Sequence, residues 1–360
     1  MRKAFISDCE GPISKNDNAY ELASQFVPEG SRLYAVISRY DDLVADILKR
    51  PGYKAGYTLK LIMPFLKAYN ATDLEMQEFS AEKLELIPYA KNTLQHARSI
   101  ALAFIVSTSY EHYLRAVCQA LDFPFANTYC TKVSIDKYNI TEPERDLLRK
   151  LAAEIAQMHI VEIPPKAKSF QDFSGDDQET ILRLDEIFWG EITNLGIGRI
   201  YSEIYPMGGE EKAEAIDDII KKSGTQLSYV MYVGDSITDE EAFKLVRRGD
   251  GLTVSFNGNQ YAVRNAEIAV LCQNSIPTTM IADIFCRFGK EQALKLAGEW
   301  NREALRKSKV SPYLLKHFFT FQSDKSCRVE IVENRNTEEL VRESTDFRRE
   351  VRGEAVGSMG

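Results

Sequence analysis

The chain has 360 residues, 44% hydrophobic and 27% charged, with a net charge of −8. These are globular values for a chain long enough to bury a full core and to carry more than one domain. The acidic balance argues against a nucleic-acid binder, which needs a basic face, and no apolar run approaches the roughly 20 residues of a membrane span.

The amino terminus enters a short apolar stretch directly, without the apolar region and cleavage site of a signal peptide. Six cysteines (Cys9, Cys118, Cys130, Cys272, Cys286, Cys327) are scattered without a C-x-x-C pair. Together these features predict a cytoplasmic protein with reduced thiols.

Residues 4–6 predict a buried strand cut off by Asp8 and Glu10 and then by Gly11-Pro12. Alone, Asp8 reads equally well as a cap on its own turn. Residues 13–89 have a helical pattern, with one apolar stripe of Leu22, Ala23 and Phe26 and another of Leu33, Val36, Ile37 and Tyr40. A helical insert of that length directly after the first strand is the size of a cap. A helix over 88–99 follows, then a continuous apolar run over 101–106, bounded by Ser107, Thr108 and Ser109. A run apolar on both faces suits a parallel strand covered by helices.

A helix over 110–121 and a strand over 126–130 come next. Residues 134–198 break the α/β rhythm and read as a second helical insertion, in which Thr141-Glu142-Pro143 opens one helix. The rhythm returns with a helix over 208–222 that carries Lys212, and with a buried strand over 229–233 ending in Gly234-Asp235. Asp239 stands four residues beyond Asp235. Strands over 252–256 and 268–271 flank a turn at Asn257-Gly258-Asn259. The tail, residues 289–360, is dense in both charges and reads as mainly helical. The expected fold is therefore a doubly wound, mostly parallel α/β sheet. Its core would be 1–12, 90–133 and 199–288, with a cap of 13–89, a second insertion of 134–198 and a helical extension of 289–360.

In a doubly wound sheet the carboxyl ends of the parallel strands share one edge. Asp8, Glu10, Ser107, Asp235 and Asp239 would meet there, with Lys212 from a neighbouring helix. Four carboxylates packed together raise one another's pKa unless a cation neutralises them. Oxygen donors without histidine or cysteine beyond Cys9 favour a hard divalent ion, Mg²⁺ above all. A carboxylate beside Mg²⁺, a hydroxyl and a lysine form a phosphoryl-transfer set. Single residues have plainer readings: Ser107 or Thr108 as a helix cap, Asp239 as a cap, Lys212 as a solvated lysine with Lys132 as a rival. Thr108 or Ser109 could take the place of Ser107. The pairs Arg247-Arg248 and Arg348-Arg349 read as solvated faces. A response-regulator receiver would place its lysine last, not before Asp235.

The order Asp8-x-Glu10-Gly11, Ser107, Lys212 and Gly234-Asp235-x-x-x-Asp239 resembles the four motifs of the haloacid dehalogenase (HAD) superfamily. The resemblance covers roughly half of the chain, within the core segments. It implies Asp8 as nucleophile and Mg²⁺ ligand, the carbonyl of Glu10 and the carboxylate of Asp235 as further ligands, and Asp239 as a partner of the metal site or of Lys212. It implies a phosphatase acting on a small phosphorylated metabolite. Two departures stand out, Glu10 where the phosphatases usually have Asp and Pro12 where they have Thr. Within the superfamily the layout is similar to archaeal proteins described as subunit R of energy-converting hydrogenase A. The two departures, with a tail beyond Gly289 that the catalytic core does not need, support the alternative of a weak or inactive HAD scaffold attached through its C-terminal extension to a protein partner, which the likeness implies is a hydrogenase complex.

Overall fold

The computed structural model describes residues 2–164, 167–321 and 327–357. Residues 165 and 166 of the expected second insertion, and residues 322–326 and 358–360 of the expected extension, lie outside the described residues. Among the described residues seven strands form one sheet: β1 (Ala4–Ser7), β2 (Leu102–Tyr110), β3 (Thr128–Thr131), β4 (Val230–Gly234), β5 (Leu252–Phe256), β6 (Ile268–Leu271) and β7 (Arg328–Ile331), in the order β3-β2-β1-β4-β5-β6-β7. All pairings are parallel except β6–β7. Among its described residues the tail, expected to be mainly helical, also supplies β7, which closes one edge of the sheet. The Asn257–Asn259 turn does not join a hairpin, because the helix Gln260–Asn265 carries the chain over to a parallel β6.

Alternation along the strands splits the core in two. Phe5, Ala103, Ile105, Met231 and Val233 face one layer of helices, while Ala4, Ile6, Val106, Val230 and Tyr232 face the other. Both faces of the central strands are apolar because both are covered, which is the physical reason the runs over 101–106 and 229–233 do not alternate.

A third core lies outside the sheet. It joins Leu22, Leu33 and Tyr40 of the first insertion to Leu151, Ile181 and Phe188 of the second. The two insertions, separate in sequence, pack into one helical body over the carboxyl edge. Tyr40 is central to it, accepting from Trp189 Nε1 at 2.9 Å and packing on Phe188 at 5.6 Å between ring centroids.

Candidate active site

Strand β1 is the middle of the sheet, and its register fixes the site. Ser7 lies opposite Ile105 of β2 and Val233 of β4. The next residue, Asp8, extends the pairing by donating its N–H to the Val233 carbonyl at 2.8 Å. Ser107 and Asp235 each stand two residues beyond these partners, so all three emerge at one edge. Gly11 then turns the chain with φ +101°, and a Cβ there would lie 2.2 Å from Asp235 Oδ2. Only glycine lets the first loop approach the carboxylate this closely.

Lys212 ties the carboxylates together. Its side chain is fully buried, and Nζ donates to Asp8 Oδ2 at 2.7 Å and to Asp239 Oδ1 at 2.8 Å. The rival Lys132 is exposed. Cys9 N–H donates to Asp8 Oδ1 at 2.6 Å. Asp239 does not cap the following helix with its side chain. It accepts instead from Tyr232 OH at 2.6 Å and, on Oδ2, from the N–H groups of Asp235 and Ser236 at 2.8 and 3.0 Å. Every lone-pair direction used is filled by a donor, so Asp239 is a structural anion that orients Lys212 and closes the Asp235 loop.

These contacts set the protonation of the group. Burial pushes the Asp8 carboxyl up to about 7, against the pull of Lys212 and with Asp239 and Asp235 adding to the rise. Burial acts on Asp239 in the same sense, but Lys212 and its hydrogen bonds outweigh it and hold that carboxyl low. Lys212 is held above its ordinary value, because its two carboxylates overcome the cost of burial. Glu10 is pushed well up by burial and by Asp17, although Asn18 N–H donates to its Oε1 at 2.8 Å. Glu10 thereby anchors the start of the Asn18–Phe26 helix while facing the cleft.

Strand β2 runs further than its apolar stretch. Ser107, Thr108 and Ser109 lie within it, where its register on β3 shifts between Val106 and Tyr110. They do not cap the helix Glu111–Leu121, whose first flanking residue is Tyr110. All three border the cleft, and Ser107 Oγ lies 3.2 Å from Ser109 Oγ. The cleft is a cavity of about 110 Å³ roofed by the cap, with Tyr34, Asp41 and Thr58 among its upper walls. The cap is clamped down where Lys54 pairs with Glu210 at 2.8 Å and Glu211 at 2.6 Å, in the turn that leads to Lys212.

Asp8, Asp235 and Asp239 each offer an oxygen within 4.8 Å of the others'. With Asp239 held by its own donors, Asp8 and Asp235 are the two that could ligate an ion, and their buried carboxylate oxygens fit a hard divalent cation rather than a soft one.

Three residues of the site carry no motif. Arg348 is 4% exposed, which corrects the reading of Arg348-Arg349 as a solvated pair; the exposed Arg247-Arg248 fits that reading. Arg348 Nη1 donates to Asp235 Oδ2 and to the Asp235 carbonyl, the latter at 3.2 Å, and Arg352 Nη1 reaches Oδ2 at 3.2 Å. Tyr232 likewise reads in sequence only as a residue of the buried strand over 229–233. The signal for the arginines is a four-residue spacing: Leu340, Ser344, Arg348 and Arg352 lie on one face of the helix Thr337–Arg352.

No protein-family model matches the chain, and no curated protein matches it. Among solved structures, phosphoserine phosphatase in its substrate-bound form is 11% identical, over 76% of this chain and 95% of that one, at a TM-score of 0.45. Its apo form is 12% identical, over 76% and 96%, at 0.42. These scores are too low to bear on function. Gene product AF1437 from Archaeoglobus fulgidus is similar over the whole fold, 25% identical over 100% of this chain and 99% of that chain, with a TM-score of 0.80.

Proposed function

We propose that the protein is a HAD-type phosphatase that hydrolyses a small phosphorylated metabolite through an aspartyl-phosphate on Asp8. The observation that carries this reading is the buried Lys212 bridge between Asp8 and Asp239 at 2.7 and 2.8 Å, on the sheet edge that also presents Asp235. A lysine fixed between one carboxylate that binds it structurally and another that faces a cleft supplies preorganised positive charge beside a nucleophile.

Asp8, once ionised, attacks phosphorus and the leaving oxygen departs. Lys212 offsets charge on the phosphoryl oxygens, and a hydroxyl from Ser107 to Ser109 donates to another of them. Glu10, whose pKa lies above the usual carboxylate range, is suited to protonate the leaving oxygen. The resulting carboxylate then takes a proton from the water that opens the acyl-phosphate. Asp8, the Glu10 carbonyl and Asp235 would hold Mg²⁺, which when bound neutralises phosphoryl oxygens. A hydrolysis screen over phosphorylated metabolites, with and without Mg²⁺, tests this reading. Turnover should need Mg²⁺ and vanish in Asp8→Asn; an Asp8→Asn variant as fast as the parent refutes it.

One observation favours a second reading, a catalytically silent HAD scaffold serving a protein partner through the C-terminal extension. Asp235 already has its charge met by Arg348 and Arg352. Absence of turnover across the screen, with co-purification of a partner that is lost on truncating the extension, would establish it.

A further inference from the structure

The C-terminal helix is seated in the site by more than its arginines. Leu340 and Ser344 are buried, and Ser344 Oγ donates to the Gly258 carbonyl at 2.6 Å. Gly258 belongs to the loop after β5, and Asn259 N–H in that loop donates to the Asp235 carbonyl at 2.9 Å. At the far end, Arg352 Nε donates to the Lys15 carbonyl at 2.9 Å and its Nη2 to the Asn16 carbonyl, both in the stretch that follows Asp8 to Pro12. The helix therefore bridges the first and fourth acidic loops, the two that would share a divalent ion.

Both guanidiniums fall on one atom, Asp235 Oδ2. Their side chains are each 5% exposed, so neither charge is relieved by water. An arginine has only donors and cannot ligate a metal. A dication placed on the same carboxylate would face two buried positive charges with little screening between them.

We propose that the docked C-terminal helix and a divalent cation are alternative partners of Asp235, so that Arg348 and Arg352 close the centre to metal until the helix lifts. The proposal rests on the reading that Asp8 and Asp235 hold the ion. Coupling between two binding events is reciprocal, so whatever factor the docked helix takes from metal affinity, bound metal takes from helix docking. If the arginines instead served to orient Asp235 for the metal, as outer partners of ligands commonly do, their removal would weaken metal binding. The two roles differ in sign.

The test is calorimetric titration of the full-length chain with MgCl₂, for the wild type, for Arg348→Gln/Arg352→Gln, and for Ser344→Ala, which loosens the helix but keeps both arginines. The double variant should bind Mg²⁺ on the order of ten- to a hundredfold more tightly, and Ser344→Ala more tightly by a smaller factor. Amide hydrogen exchange in residues 337–352 of the wild type, a measurement that needs no variant to fold, should speed up when Mg²⁺ is added. Equal or weaker binding by the variants, or unchanged exchange with Mg²⁺ bound, overturns the proposal while leaving the metal site standing. Absence of Mg²⁺ binding in all three proteins overturns both.

Discussion

If Asp8 has the role proposed above, the ionised state that role needs should reduce stability, and Asp8→Asn measures by how much. In the metal-free protein its carboxyl lies near 7 against an ordinary 3.8, with burial as the main cause. Between those values the folded chain keeps a proton that the unfolded chain has released, so stability falls as pH rises through the window. Above about 7 the ionised group costs the full difference, ~4 kcal/mol at about 1.4 kcal/mol per tenfold. Asparagine mimics the protonated acid in shape and charge, and Lys212 keeps Asp239 as its partner at 2.8 Å. In EDTA, Asp8→Asn should therefore melt at the wild-type temperature near pH 4 and several degrees higher at pH 8.5, as followed by circular dichroism. Adding Mg²⁺ should narrow the gap by stabilising the wild type more than the variant, since the state that binds ligand more tightly gains more from it. A variant that melts lower than wild type at pH 8.5, or a difference that ignores pH, would refute the idea that burial opposes ionisation of Asp8.

Lys212→Met removes the cation from two buried pairs and leaves Asp8 and Asp239 facing each other. Breaking a buried pair in this way costs about 3–5 kcal/mol. Thermal melts should show the loss at pH 8 and part of it restored near pH 5, where the carboxylates take up protons; a loss independent of pH would contradict the pairing. Gly11→Ala puts a Cβ 2.2 Å from Asp235 Oδ2 at a φ of +101°. It should abolish calorimetric Mg²⁺ binding while circular dichroism shows the helices intact, and undiminished binding would show that the loop has room to move.

The acidic site was legible because its parts obey local rules. Asp8 follows a run of four buried residues, and Asp235 follows a run of five. Such apolar runs mark strands buried on both faces, and parallel strands deliver their ends to one edge. Lys212 was legible only by its order in the chain, since nothing local separates a fully buried lysine from a solvated one on the helix Gly209–Ser223. Ser107 reads as following the strand because its polarity looks like an end. Pairing with β3, not polarity, carries β2 on to Tyr110.

The sequence by itself determined the parallel strands of the sheet and the order of its acidic loops, because periodicity and strand-ending residues act over a few positions. Only the tertiary structure decided what those parts meet. It fused the insertions into one cap, since the apolar stripes of each cover the other. It also brought Arg348 to Asp235 across 113 positions. A charged residue on an amphipathic helix looks solvated until the surface that buries it is known. Here that surface is the carboxylate at the end of β4, whose buried negative charge needs a cation from somewhere in the chain or from solution.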